Sequence, residues 1–247
     1  MLVKKMQTFI LAALTISALA VCGCGGGTVA FPDAALESAV REAINRPQGA
    51  IRRGHLQDLT DLRAVQTGIR ELEGLQFCTN LRQLILNEHN IADIRPIAEL
   101  PNLTYLSLVG NRITDITPLA NLTGLKELML SSNEIRDIRP LSGLADLETL
   151  DLARNRIDSL EPLSGLTELK WLWIPDNDIS DISPLSGLTQ LMELELQNNS
   201  ITDLDPLSEL DGLLYLDLRG NPLSDAARSE HIPALTARGV DVEVNGE

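Results

Sequence analysis

Residues 81–102 read LRQLILNEHNIADIRPIAELPN, and this segment is the first of six consecutive 22-residue segments that end at Gly212. The six segments, numbered here as coils 1 to 6, align without an insertion or a deletion. Leucine occupies positions 1 and 4 of every coil, leucine or isoleucine position 6, isoleucine position 11 and proline position 16. A fixed period with apolar residues in the same positions is typical of a solenoid, in which each coil buries its apolar face against its neighbours.

Positions 3 to 7 predict a short strand in each coil, because the leucines of positions 4 and 6 alternate with more polar positions. Stacked coils then form one parallel sheet, with positions 4 and 6 turned inward and positions 3, 5 and 7 turned outward. Proline at position 16 fixes one backbone angle and removes a donor, which favours short turns and one-turn helices on the other side of the coil.

Position 9 is predicted to form a ladder of asparagines whose side-chain amides satisfy the backbone of the bend and of the neighbouring coil. The ladder consists of Asn111, Asn133, Asn155, Asn177, Asn199 and Asn221. His89 holds position 9 in coil 1, and we interpret its imidazole as a partial substitute for the amide.

The repeat unit LxxLxLxxNxIxDIxPLxxLxx resembles the leucine-rich repeat of bacterial internalins, and a eukaryotic regulatory subunit of protein phosphatase 1 shares its period. The resemblance covers roughly residues 31–244. It implies an α/β solenoid shaped as a horseshoe, with a concave parallel β-sheet, short turns and 3-10 helices on the convex side, and a helical N-terminal cap. It implies no particular ligand, because members of the family select partners through the variable positions.

Weaker repeats and caps are expected on both sides of the six coils. A degenerate coil begins at Leu59, and coil 7 begins at Leu213 and diverges after Leu223. Helical spacing of apolar residues predicts a helix within residues 31–45, and a second helical stretch is expected at about 225–238, followed by a last edge strand. The expected divisions are a signal peptide at 1–24, a glycine-rich tether at 25–30, a helical N-terminal cap at 31–58, about eight repeats at 59–223 and a C-terminal cap at 224–247.

The N-terminal segment, residues 1–27, is interpreted as an export signal, because two lysines precede an apolar run at 9–21 that is shorter than the roughly 20 residues a membrane span needs. The end of the run resembles the lipobox of bacterial lipoproteins and favours acylation of Cys24, with Cys22 as the alternative. A conventional cleavage site at 18–20 would instead give a secreted protein. We therefore expect an extracytoplasmic, membrane-anchored lipoprotein at the cell surface or outer membrane.

Composition and motifs argue against nucleic-acid binding and catalysis. The formal net charge of −15 opposes contact with phosphates and favours basic partners. The sequence has no glycine-rich phosphate loop, nucleophile elbow or zinc motif, and its three histidines have no cysteine or aspartate at metal-ligand spacing. Cys78 is interpreted as a small buried hydrophobe. We predict no cofactor and no metal site.

Glu193 and Glu195 are the nearest approach to a catalytic carboxylate pair, two residues apart on one predicted strand. On an open sheet, water screens both groups, and nothing would raise the pKa of one to make it an acid. We therefore predict that the protein is not an enzyme.

Large aromatic residues point to a binding surface on the concave face. The chain has two tryptophans and two tyrosines, and all four occupy outward positions 3 or 5 of the strands. Strand propensity alone can place aromatics there, but aromatics are also enriched at binding hot spots, and the inward positions are filled by aliphatics. The predicted ligand-binding residues are Tyr105, Glu127, Asp151, Trp171, Trp173, Asp176, Glu193, Glu195, Tyr215 and Asp217.

Aromatic faces among carboxylates suit lysine or arginine side chains, through cation–π contact and charge pairing. We therefore predict a monomeric module that binds a protein or peptide with a basic patch across coils 4 to 7. One alternative is a carbohydrate or cell-wall binder that uses the aromatics as stacking platforms. Another is an intracellular scaffold or phosphatase regulator, which requires that residues 1–27 are not an export signal.

Overall fold

The computed structural model describes residues 27–245, in which nine parallel strands form one sheet in sequence order. The export signal and the acylation candidates Cys22 and Cys24 lie outside the described residues. The strands are β1 Asp61–Val65, β2 Gln83–Asn87, β3 Tyr105–Ser107, β4 Glu127–Met129, β5 Thr149–Asp151, β6 Trp171–Trp173, β7 Glu193–Glu195, β8 Tyr215–Asp217 and β9 Asp241–Glu243.

Strand pairing keeps equal repeat positions side by side across the sheet. Leu106 of β3 pairs with Leu128 of β4, and the same position continues to Leu150 of β5. In the degenerate coil, Leu62 pairs with Leu84, as its alignment with coil 1 predicts. The register is constant because no insertion separates one coil from the next.

The core is a column of aliphatic side chains contributed by the same positions of every coil. In coil 4, Leu150, Leu152 and Ile157 have no exposed surface, and Leu160 is 1% exposed. Each of these side chains packs on the equivalent residues of the adjacent coils, so the apolar face of one coil is covered by its neighbours.

The convex side carries a short 3-10 helix in each of coils 1 to 6, with proline in its first turn. These helices are Arg95–Glu99, Thr117–Leu119, Arg139–Leu141, Glu161–Leu163, Ser183–Leu185 and Asp205–Leu207. In five coils an aspartate at position 13 accepts the backbone N–H of position 15, as Asp137 does from Arg139 at 3.0 Å. This bond satisfies a backbone N–H in the first turn of the helix, which has no partner within the helix itself.

Each asparagine of position 9 connects its own coil to the preceding one. Asn177 Oδ1 accepts the N–H of Ile157 at 2.9 Å, and its Nδ2 donates to the carbonyl oxygens of Leu152 and Pro175 at 3.0 and 3.1 Å. His89 Nε2 lies 3.2 Å from the carbonyl oxygen of Ala64, the same carbonyl position that Leu152 provides for Asn177. The imidazole therefore reproduces one of the bonds of the amide.

Position 8 adopts a left-handed backbone in every coil from 1 to 7, with φ between 53° and 76°. The residues are Glu88, Gly110, Ser132, Arg154, Asp176, Asn198 and Gly220. The sequence pattern did not reveal this feature, because the residue type varies and only two of the seven are glycine. The turn that follows the strand imposes the conformation on each residue.

The N-terminal cap contains helix α1, Ala34–Ala43, and helix α2, Arg53–Leu56. Asp33 caps α1 through Oδ1, which accepts the N–H of Ala35 at 2.9 Å, and its Oδ2 accepts the N–H of Arg70 in the degenerate coil at 2.7 Å. One carboxylate therefore joins the cap to the repeats.

The prediction of a glycine-rich tether at residues 25–30 is wrong for the second half of that segment. Thr28 forms an antiparallel bridge with Arg52, and Val29 is 5% exposed within the core. These residues belong to the N-terminal cap because an apolar Val29 beside Phe31 covers the open end of the solenoid.

The C-terminal cap begins with a π-helix, Ala227–His231, continues as helix α3, Ile232–Ala237, and turns at Gly239 with φ 92°. Strand β9 then adds to the edge of the sheet, parallel to β8, and confirms the predicted last edge strand, in which valine alternates at 240, 242 and 244. No helix among residues 27–245 has the length and apolar character needed to cross a membrane.

Candidate functional site

The two tryptophans and Tyr215 lie on three neighbouring strands at one end of the concave sheet. Trp171 of β6 pairs with Glu193 of β7, which pairs with Tyr215 of β8. At a strand spacing of about 4.8 Å, the two aromatic side chains are roughly 10 Å apart across Glu193. Leu172, between the tryptophans, has no exposed surface, so both indoles project from the opposite face of the strand.

The aromatic and acidic groups of this cluster contact each other directly. Trp173 Nε1 donates a hydrogen bond of 2.7 Å to Glu193 Oε1. Glu195, which pairs with Trp173 in the sheet, accepts from Gln197 Nε2 at 3.2 Å. We call Trp171, Trp173, Glu193, Glu195 and Tyr215 the aromatic cluster.

Three predicted site residues lie on earlier strands. Asp151, on β5, pairs with Trp173 and so borders the aromatic cluster. Glu127, on β4, is exposed two strands from the tryptophans. Tyr105, on β3, is three strands from Trp171, roughly 14 Å away, and the structure does not bring it into the cluster.

The predicted role of Asp217 as a ligand contact is corrected by its burial. Its exposed surface is 0%, and its carboxylate accepts from the backbone N–H of Arg219 at 3.0 Å and from the guanidinium of the same residue. The buried carboxylate is paired with Arg219 and has no oxygen exposed to a ligand.

Asp176 also differs from its predicted role. It lies in the left-handed turn after β6, where Oδ1 accepts from Asn198 Nδ2 at 2.8 Å and Oδ2 lies 3.5 Å from Arg154 Nε. These contacts link position 8 of three successive coils. The carboxylate therefore stabilises the edge of the sheet beside the cluster.

The remaining carboxylates give the concave surface an uncompensated negative charge. Within residues 27–245, no lysine, arginine or histidine nitrogen lies within 4.0 Å of a carboxylate oxygen of Glu127, Asp151, Glu193 or Glu195. Partial burial, followed by the charges of Asp217 and Glu195, raises the pKa of Tyr215. The cluster therefore offers aromatic faces in an acidic environment.

Two apolar residues beside the cluster were missed by the sequence analysis. Met192 and Leu214 occupy position 2, immediately before β7 and β8, and are 37% and 57% exposed. The backbone N–H of Leu214 donates to the carbonyl oxygen of Met192 at 2.8 Å, so the two residues are neighbours. A signal existed in the sequence, because position 2 of coils 1 to 5 is polar in every case: Arg82, Thr104, Lys126, Glu148 and Lys170.

A histidine and two aspartates meet between the C-terminal cap and coil 6, a group that no sequence spacing indicated. His231 Nε2 lies 2.8 Å from Asp205 Oδ1, and its Nδ1 lies 4.0 Å from Asp203 Oδ1. One ligand atom from each residue lies within 4.8 Å of the others, as a metal ion would require. Only Nε2 is within hydrogen-bonding distance of a carboxylate, whereas Nδ1 has no hydrogen-bond partner among the described residues. The short contact with Asp205 joins the C-terminal cap to coil 6.

Cys78 lies in the core at the end of the degenerate coil, with no exposed surface. Burial raises the pKa of its thiol to about 12. The thiol is therefore protonated at neutral pH and acts as a small hydrophobe, as the sequence predicts.

Comparison with known proteins agrees with the repeat and the fold. A family model described as leucine-rich repeats, two copies, matches residues 79–121, 101–142, 123–165 and 167–209, which together exceed half of the chain. No curated protein sequence gives a significant match.

Solved structures of internalins are similar to this chain. Internalin C2 from Listeria monocytogenes is 32% identical with a TM-score of 0.83, and the alignment covers 92% of this chain and 100% of that one. An internalin F structure from the same organism is 32% identical with a TM-score of 0.82, over 87% of this chain and 63% of that one.

A plant peptide hormone receptor, solved in complex with RGF2, is 22% identical with a TM-score of 0.57, over 69% of this chain and 28% of that one, and shares the fold alone. The match to the family model over more than half of the chain, together with the full coverage of internalin C2, fixes the assignment. This chain belongs to the leucine-rich repeat family, as an internalin-like member.

Proposed function

We propose that this protein is a non-enzymatic binding module whose concave face takes a protein or peptide with a basic patch. The observation that carries the proposal is the aromatic cluster itself: three large aromatic side chains surround two glutamates that lack a cationic partner among the described residues. Internalin-like solenoids provide an open concave sheet of this kind, and the variable positions of this chain decide what it accepts.

The chemistry of the cluster favours a cationic side chain over a neutral one. An ammonium or guanidinium group over an indole face gains cation–π attraction, and nearby carboxylates add charge pairing. Trp171 and Trp173 supply the aromatic faces, and Glu193 and Glu195 supply the charge. Asp151 and Glu127 extend the acidic surface towards coil 3, so the carboxylates would mainly accelerate association.

A direct test is to isolate partners with the mature protein and to measure their affinity for variants. Trp171→Ala with Trp173→Ala should weaken binding at least tenfold, because aromatic hot-spot residues each contribute about 2 kcal/mol or more. Tyr105→Ala is the matched control, since it removes an aromatic of the same face about 14 Å from the cluster. Equal binding by the double variant and the wild type would show that the concave cluster is not the site.

Carbohydrate binding remains the second candidate, because exposed indole faces also stack on sugar rings. Titration against salt separates the two ligands. Affinity for a basic protein should fall steeply with ionic strength, whereas stacking on a neutral glycan should not respond. The unpaired carboxylates around the indoles favour the first outcome.

The proposed location of the module is the outer side of a membrane, with acylation of Cys24 or, alternatively, Cys22 providing the anchor. The proposal rests on the lipobox-like end of the N-terminal apolar run. Intact-mass analysis of detergent-extracted protein should show a diacyl or triacyl mass increment on the N-terminal cysteine. An unmodified N-terminus at Val21, recovered from the medium, would support secretion and contradict the anchor.

A further inference from the structure

Met192 and Leu214 form an exposed apolar edge beside the aromatic cluster. Among residues 27–245, these two are the exposed large hydrophobic side chains. Single exposed aliphatics are ordinary on protein surfaces. These two, however, are adjacent, occupy the same repeat position and directly precede Glu193 and Tyr215 of the cluster. We call them the apolar edge.

The same edge of the sheet is charged in the preceding coils. Glu148 bridges two lysines, with Oε1 3.2 Å from Lys126 Nζ and Oε2 2.7 Å from Lys170 Nζ. This ion-paired group of two lysines and one glutamate ends where Met192 begins. The edge therefore changes from an ion-paired surface to an apolar one at coil 6, alongside the aromatic cluster.

Within the part of the chain that the structure describes, the opposite edge of the sheet carries no exposed large hydrophobic side chain near the cluster. There Arg154 pairs with Asp176, and Arg219 pairs with Asp217. A chain that lies on the cluster can bury aliphatic surface in addition to the aromatic faces by crossing the edge at Met192 and Leu214. The two edges of the sheet beside the cluster therefore differ in polarity, because one is apolar and the other is ion-paired.

We propose that the partner of the concave site presents an apolar side chain close to a lysine or arginine in an extended segment. The apolar side chain packs on Met192 and Leu214, and the cation reaches Glu193 and Glu195 between the aromatic faces. Position 2 and position 5 are about 10 Å apart along a strand, equal to three extended residues, so the two partner residues lie one to three positions apart. This inference rests on the proposed function and adds the sequence character of the ligand.

The occupant is a separate protein segment and not a second copy of this chain. At a net charge of −15, two copies repel each other, and the glutamates of the aromatic cluster would face another acidic surface. A basic segment instead meets the four carboxylates of the concave face that lack cationic partners.

The experiment begins with a selection of displayed random peptides on the full chain. Tryptophan-free peptides from this selection are then titrated by intrinsic fluorescence, which reports on the site because Trp171 and Trp173 are the only tryptophans. The expected consensus is a basic residue with an aliphatic or aromatic residue one to three positions away. Basic peptides without this neighbour would overturn the inference.

Variants give the second measurement. Met192→Ser with Leu214→Ser should weaken the selected peptides about tenfold while leaving their salt dependence unchanged, because apolar contact is lost and charge is not. Ile85→Ser, an aliphatic position on β2 of the same face, is the control and should leave affinity unchanged. Thermal melting of each variant checks that it folds. Met192 and Leu214 are exposed, so their replacement by serine should leave the fold intact.

The outcomes separate the two proposals. Unchanged affinity in the double serine variant, with loss of binding in Trp171→Ala with Trp173→Ala, overturns the apolar edge and leaves the proposed function intact. A selection that yields no peptide whose affinity depends on the two tryptophans overturns the proposed function itself.

Discussion

Trp173 and Glu193 are joined across neighbouring strands by a hydrogen bond of 2.7 Å from indole Nε1 to Oε1. The bond occupies one oxygen of the carboxylate and holds the indole against the sheet with one edge anchored. The second oxygen of Glu193 and the indole face stay available to a partner. An anchored aromatic loses less side-chain entropy on binding, so the site is organised before the ligand arrives.

Removal of the carboxylate should therefore loosen Trp173 without any ligand present. In a Trp171→Phe background, where Trp173 is the single tryptophan, Glu193→Ala should shift its emission to longer wavelength and increase quenching by acrylamide. Glu127→Ala, which removes a glutamate two strands away on the same face, should change neither quantity. Identical quenching in both variants would mean that the hydrogen bond does not hold the indole.

The asparagine ladder should be the most sensitive polar feature of the fold. Asn177→Ala removes the side-chain oxygen and the two amide N–H groups that bond to buried backbone groups, which are then left without partners. The free energy of unfolding should fall by about 1 to 3 kcal/mol, and Asn155→Ala should behave alike. Arg156→Ala removes an exposed pair with Glu134 and should cost little. Urea denaturation measures all three. Equal losses for Asn155→Ala and Arg156→Ala would contradict the ladder.

Asp33 should make the N-terminal cap sensitive to acid. Burial raises the pKa of its carboxyl, but hydrogen bonds from the backbone N–H groups of Arg70, Leu36, Glu71 and Ala35 outweigh burial, and the pKa is lowered overall. A lowered pKa in the folded state means that the stabilisation is complete above the unfolded pKa of about 3.9 and is lost as pH falls through the folded value.

Asp33→Ala should accordingly cost about 1 to 2 kcal/mol at neutral pH, the typical loss for a helix N-cap. The difference in stability between the variant and the wild type should narrow below about pH 3.9. Asp58→Ala, an exposed aspartate of the same cap, is the control and should show neither effect. If the difference in stability persisted unchanged at low pH, the stabilisation would not depend on the charge of Asp33.

Cys78 should resist alkylation in the folded protein. With its pKa raised to about 12 by burial, the folded state keeps the thiol protonated, whereas the unfolded thiol ionises near pH 8.5. Iodoacetamide at pH 8 should leave the Cys78 peptide unmodified in native protein and modify it fully in denaturant, as measured by mass spectrometry. Because the pKa of the Cys78 thiol is higher in the folded state than in the unfolded state, the free energy of unfolding should also fall progressively between about pH 8.5 and 12. Rapid alkylation of Cys78 in the native protein would mean that the residue lies outside the core.

The coil, the register and the core could all be predicted from the 22-residue period. Six segments without an insertion leave one way to stack, so the position of a residue in the period decides whether it faces the core, the concave sheet or the convex side. Leu150, Asn177 and Trp171 all lie on the faces that their positions predict. This is possible because contacts in a solenoid repeat at a fixed sequence separation.

Packing between neighbouring coils and caps selects which side chains on a given face are available to a partner. Asp217 and Glu195 occupy the same repeat position, yet Asp217 is buried against Arg219 and Glu195 remains on the concave surface. The period assigns a direction to each side chain but not the hydrogen-bond partner that a neighbouring coil or cap brings to it. The contact of His231 with Asp205 depends in the same way on the packing of the C-terminal cap, which lies outside the period.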